Sequence, residues 1–139
     1  MATPEPTARP TALRWAWPLG TAVTALAATA ALRLRDPHVT GSWGLCPWKH
    51  LTGWDCPGCG GLRAINDLTH GDVAAASSSN LVVVLLIPVA IGAWVLWLDR
   101  TRTRRPVPSV PGWAWGIGLV LLAGFTALRN IPAGSWLAA

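Results

Sequence analysis

Leu81 to Leu98 reads LVVVLLIPVAIGAWVLWL, eighteen residues without a charge, closed by Asp99 and Arg100. As an α-helix rising 1.5 Å per residue it reaches about 27 Å, close to the thickness of a bilayer's hydrocarbon core. An uncharged run of this length has a ready solvent in lipid and a poor one in water, so it is a membrane span. Pro88 in its middle kinks the helix without ending the crossing. Asn80, just before the run, suits an N-cap, because its side-chain oxygen can take a first-turn N–H.

Working outward, two further runs have the same character. Trp15 to Leu32 is uncharged and rich in Ala, Leu and Thr, and a first transmembrane helix over 15–34 follows. The same run also fits a secretory signal, with Arg9 and Arg14 ahead of it and an Ala28-Thr29-Ala30 cleavage site. Val107 to Leu128, opened by Pro108 and Pro111 and closed by Arg129, makes a third span over 107–128. The remaining pieces are a disordered tail over 1–14, a basic loop over 99–106 and an interfacial tail over 129–139.

Composition agrees. In 139 residues, 52% are hydrophobic and 12% are charged. Soluble domains carry about a quarter charged residues, and half that supply cannot clothe a water-facing surface. Ten Trp against no Tyr and one Phe is an interfacial aromatic set. The net charge of +5 comes from basic residues scattered beside apolar runs, with no basic face or reading helix, so nucleic acid is not a partner. The partners indicated are the lipid bilayer and a membrane-protein partner.

Orientation follows from Lys and Arg in short loops. Arg9, Arg14, Arg100, Arg102, Arg104 and Arg105 fall on one side. Arg33, Arg35, Lys49, Arg63 and Arg129 fall on the other. The dense cluster at 100–105 assigns the 99–106 loop and the N-terminus to the cytoplasm, and the loop between spans one and two to the outside.

That loop, residues 35–80, holds all three Cys, all three His and three of the ten Trp. A structureless connection of this length is unusual, so it folds or lies on the membrane. Its centre reads Cys46-Pro47-Trp48, then Thr52-Gly53-Trp54-Asp55-Cys56-Pro57-Gly58-Cys59-Gly60-Gly61-Leu62-Arg63-Ala64. Pro57 is placed to open a short helix, with Leu62, Ile65 and Leu68 on one face and Gly71 as its stop. Asp72 caps a second, Ala-rich segment. The fold class is therefore all-α: three transmembrane helices, with one or two short helices, the first amphipathic, in a Cys-rich loop between the first two.

The Cys-Pro pair, the Thr-Gly, the Cys-Pro-Gly-Cys-Gly-Gly-Leu-Arg-Ala block and the later Leu, Gly and Asn resemble the small bacterial membrane proteins grouped as domain of unknown function 2752. The resemblance covers roughly residues 45–100. It implies a bacterial multi-pass membrane protein and brings no activity with it, so it assigns no catalytic residue. Leu62 stands where a Thr is common in that pattern, and Leu81 where a Pro is common.

The cysteines admit several readings. Cys56 and Cys59 form a Cys-x-x-Cys pair, the arrangement of thiol–disulfide exchange, here without the βαβ context that usually carries it. Cys46, Cys56 and Cys59 supply three zinc ligands, with His50 or His70 as a fourth. Alternatively Cys46 pairs with Cys56 or Cys59 and staples the loop, stabilising it by about 2–3 kcal/mol, or the three stay reduced and inert. The residues fix no cofactor; zinc is the candidate they could hold. Arg63 either reaches a lipid phosphate or pairs with Asp67, and Trp48 and Trp54 are placed for lipid or partner contact. No paired carboxylates, phosphate-binding glycine loop or Ser/His/Asp set appears. The function this supports is a membrane protein whose Cys-rich loop, stapled by a disulfide or a metal, docks a partner or a lipid surface. A membrane thiol–disulfide oxidoreductase is the alternative.

Overall fold

The computed structural model describes residues 11–44 and 46–137. Residues 1–10, the greater part of the expected N-terminal tail, lie outside the described residues. The described chain is helical: α1 (Thr11–Leu34), α2 (Pro47–Thr52), α3 (Gly61–Thr69), α4 (Val73–Thr103), α5 (Gly112–Arg129) and a closing 3-10 helix (Pro132–Leu137). Three of these, α1, α4 and α5, are long and apolar enough to cross a membrane. The short helices α2 and α3 lie in the connection that carries the cysteines. This is an all-α membrane protein.

The second span grows at both ends beyond the apolar run expected for it. α4 has 31 residues because the Ala/Ser segment from Val73 and the polar segment to Thr103 stay helical. Asn80 interrupts it with an extended backbone (φ −164°, ψ 97°), and its Oδ1 accepts the N–H of Val83 at 3.0 Å. The expected cap thus forms inside what is otherwise one rod. The third span starts later than expected, at Gly112. Pro106, Pro108 and Pro111 hold the approach non-helical, since each fixes its own φ and disfavours the helical region for the residue before it. α3 likewise begins at Gly61, not Pro57. Residues 57–60 form a turn instead, whose Pro57 and Cys59 carbonyls accept hydrogen bonds from the Asn80 side chain. Asp72 caps α4 as expected, its Oδ1 accepting from the Ala75 N–H at 2.8 Å.

α1 and α4 run antiparallel and are joined by side-chain-to-backbone bonds near one end: Trp94 Nε1 donates to the Pro18 carbonyl at 3.0 Å, and Arg14 Nη2 to that of Thr101 at 3.1 Å. At the other end α3 lies across them. Asn66 Nδ2 donates to the Leu32 carbonyl at 2.7 Å, and Arg33 to that of Thr69. The α3–α4 approach is close: a Cβ on Gly61 would sit 3.3 Å from Val83 Cγ2, and the valine would have to give by a few tenths of an ångström to admit it. The 3-10 helix folds back onto α5 and α4 and buries Leu137.

Burial is distributed as in a lipid-solvated protein. Along the spans Leu26, Val89, Leu119 and Val120 are exposed, as suits side chains solvated by acyl chains. The buried centre lies at the end where α3 crosses, and it is largely polar: Asp55, Asn66, Asp67, Asn80 and Arg129 sit there beside Cys59, Ala64 and Ala76.

Candidate metal centre

Two pieces of the 35–80 connection bring the cysteines together. Cys46 immediately precedes Pro47, the first residue of α2. Cys56 and Cys59 stand at the two ends of one turn, closed by the Cys59 N–H on the Cys56 carbonyl at 3.0 Å and by the Cys56 N–H on the Cys59 sulfur at 3.3 Å. The Sγ atoms of Cys46 and Cys56 lie 3.5 Å apart, those of Cys56 and Cys59 3.1 Å, and all three lie within 4.8 Å of one another. Thiolates bound at about 2.3 Å around a tetrahedral zinc ion stand about 3.8 Å apart. The two edges at Cys56, 3.5 and 3.1 Å, are shorter than that, so the sulfurs would spread by a few tenths of an ångström to take an ion.

The three thiols differ in environment. The Lys49 backbone N–H, and after it the Cys56 thiol, hold the Cys46 thiol below its ordinary range. Burial, and after it the Cys56 thiol, pushes Cys59 up to about 12. A buried thiol of this kind stays protonated unless a cation takes the proton's place.

The turn is bolted to the span ends. Asn80, fully buried, donates from Nδ2 to the carbonyls of Pro57 and Cys59, each at 2.9 Å. Arg129, 2% exposed at the end of α5, donates from Nη1 to the carbonyls of Cys56 and Cys59 at 3.0 and 3.1 Å. Its guanidinium lies 5.1 Å from the Phe125 ring centroid. Asn130 completes the clamp: its Oδ1 accepts from the Asp55 N–H at 2.8 Å while its Nδ2 donates to the Asp55 carbonyl at 2.9 Å, pairing with that backbone as a strand would. The Asp55 carboxylate faces Lys49 Nζ at 2.8 Å.

Of the residues singled out from sequence, Cys46, Cys56 and Cys59 gather, and His50 does not join them; it is exposed on α2. His70 turns its Nδ1 onto the Asn66 carbonyl at 2.9 Å. Arg63 makes no pair with Asp67. That carboxylate instead takes Ser79 Oγ at 2.9 Å and His38 Nε2 at 3.3 Å. Arg63 lines a cavity of about 420 Å³, together with Lys49, Trp43, Cys46 and Cys59. Trp48 and Trp54 are each 54% exposed. The reading from sequence missed Arg129 and Asn130 as site residues. They sit 70 or more residues from the turn they hold, and as a span-closing Arg-Asn pair they carry no local signal. Asn80 was legible as a cap and as part of the family resemblance, but not as a residue that holds the cysteine turn.

The fold and site together define a membrane protein with three apolar helices and a polar head, built on a cysteine cluster, where the helix ends meet. Residues 46–94 match the family model described as "Protein of unknown function (DUF2752)", so this segment of the chain is similar to that family. The match starts at Cys46 and takes in all three cysteines and Asn80, whereas Arg129 and Asn130 fall beyond it. No curated protein and no solved structure matches the chain.

Proposed function

We propose that the 35–80 connection is a rigid docking head held at the membrane surface, and that its outer face lies in the lipid headgroup layer. One observation carries this reading: the head's two faces differ in kind. The inner face is clamped to the span ends by Asn66, Asn80, Arg129 and Asn130. Away from this clamp Trp43, Trp48, Leu51, Trp54 and Leu62 are exposed, and Lys49 and Arg63 border one cavity with Trp43 and Leu62. Trp with Lys or Arg is the combination that suits the boundary between acyl chains and phosphates. The setting is a bacterial cell membrane, with the N-terminus and the Arg100–Arg105 cluster cytoplasmic and the head outside.

The test is a photo-crosslinking amino acid placed at position 48 or 54 in the full chain, irradiated in native membranes. Lipid adducts at both positions support the proposal. A discrete protein adduct without lipid replaces the lipid surface by a protein partner. No adduct at either position sinks the docking role.

Thiol exchange is the second reading, favoured by the short Cys46–Cys56 and Cys56–Cys59 separations, across which a disulfide forms with little movement. It predicts a mixed disulfide with a thiol substrate trapped in Cys59→Ser. A variant that traps nothing under oxidising and reducing conditions excludes it.

A further inference from the structure

We infer that Cys46, Cys56 and Cys59 form a three-thiolate zinc site whose fourth coordination position is left open to an exogenous ligand from the adjoining cavity. The inference stands apart from what the outer face docks on.

The first support is the ligand set. Three Sγ atoms within 4.8 Å of one another, drawn from two chain segments, are a converged set of soft donors. One sulfur already accepts a backbone N–H, Cys56 to Cys59 at 3.3 Å, a contact that orients a thiolate.

The second support is independent of the sulfurs. Arg129 is 2% exposed, and its Nη1 holds the carbonyls of Cys56 and Cys59, but its Nε and Nη2 are buried with no hydrogen-bond partner among the described residues. No carboxylate lies within ion-pair distance of it there, since Asp55 takes Lys49 and Asp67 takes His38. Arginine stays charged, and a buried charge without a counter-charge is costly. Zinc binding supplies one. Zn²⁺ displaces one proton from each of the three thiols, three protons leave to solvent, and the resulting centre has one net negative charge. With Arg129 the pair is neutral.

The open position follows from what does not converge. His50 is exposed and His70 is turned onto Asn66, so no described histidine stands with the sulfurs. Structural zinc sites close with four protein ligands, whereas sites with three keep a place for water or another ligand. Cys46 and Cys59 border the cavity of about 420 Å³, and Arg63 on its wall makes it suited to a small anion.

The experiment uses the full chain purified in detergent without chelator, analysed for metal content and intact mass, then reloaded with Co²⁺ for absorption spectroscopy. One zinc per chain, tetrahedral cobalt bands with thiolate charge transfer, and a change in those bands on adding azide are expected. Cys46→Ser, Cys56→Ser and Cys59→Ser each lose stoichiometric metal, while His50→Ala retains it. Arg129→Met weakens zinc binding by roughly 10–100-fold and Arg129→Lys restores part of that. Circular dichroism separates a folded Arg129→Met from a collapsed one, and if it collapses Arg129→Lys carries the comparison. A metal-free protein two daltons light overturns the proposal in favour of a disulfide. Loss of metal in His50→Ala, or cobalt bands indifferent to azide, overturns the open position.

Discussion

Replacing Asn80 by Ala removes three hydrogen bonds at one stroke: two donated to the carbonyls of Pro57 and Cys59 and one accepted from the Val83 N–H. At about 1 kcal/mol net each, the loss is about 3 kcal/mol. Cys59 keeps its second donor, Arg129, whereas Pro57 is left with a half-buried carbonyl and no donor from Asn80. The net cost is about 2–3 kcal/mol. It falls on the cysteine turn and not on the helices, so it reads out as local opening. The assay is the rate of Cys59 alkylation by a maleimide in the metal-free protein. This thiol is buried, and reaction requires the turn to lift from α4. A cost of that size raises the opening equilibrium, and with it the rate, by about 30–150-fold. Asn80→Asp is the sharper control. It keeps an acceptor for Val83 but turns a carboxylate toward two carbonyls, so it labels at least as fast as the alanine variant. Rates within threefold of wild type for both variants would refute the claim that Asn80 fastens the turn.

Asn130→Ala removes the two-way pairing with the Asp55 backbone; a cost of about 1–3 kcal/mol, read as earlier thermal loss of head structure with the far-ultraviolet signal of the spans retained, is expected, and an unchanged transition contradicts it. Trp94→Phe deletes the bond to the Pro18 carbonyl between α1 and α4 and lowers the detergent unfolding midpoint by an amount equivalent to about 1 kcal/mol; no shift means the helices are held by packing alone. Gly134→Ala would drive a Cβ into the Leu128 carbonyl oxygen, so the 3-10 helix must move and Leu137 must lose its burial; protease sensitivity confined to the C-terminal segment checks this, and wild-type resistance refutes it. The raised Cys59 thiol gives the metal-free fold a pH dependence. The unfolded chain releases this proton near 9.0 and the folded chain only near about 12, so stability present below pH 9 is lost as pH rises between those values. Melting curves at pH 8 and 10.5, compared with Cys59→Ser, test the sign; an equal pH response in the variant rules it out.

The apolar helices were legible because membrane crossing is a one-dimensional constraint. A run such as Leu81 to Leu98 needs no knowledge of its neighbours to be unsuited to water, and the outward faces of α1, α4 and α5 need no specific partner. The caps were legible for a similar reason: Asp72 acts three residues away on Ala75, and Asn80 three residues away on Val83. Helix ends were less so. The start of α3 moved from Pro57 to Gly61 because carbonyls of that turn are taken by Asn80 rather than by a helix, and the start of α5 moved to Gly112 under the stiffness of three prolines.

The cysteines were visible in the sequence as a motif with several meanings, and tertiary structure narrowed them. Which donors converge depends on where α2, the Cys56–Cys59 turn and the end of α5 meet, over separations of up to 73 residues. His50, only four residues from Cys46, stays out because α2 exposes it, whereas Arg129 comes in because α5 ends beneath the turn. The amino-acid sequence by itself determined that this chain is a lipid-solvated helical protein, since hydrophobicity acts residue by residue. Only the tertiary structure decided what its polar head is made of, because the side chains that clamp the cysteine turn, Arg129 and Asn80, meet its carbonyls in space and leave no pattern along the chain.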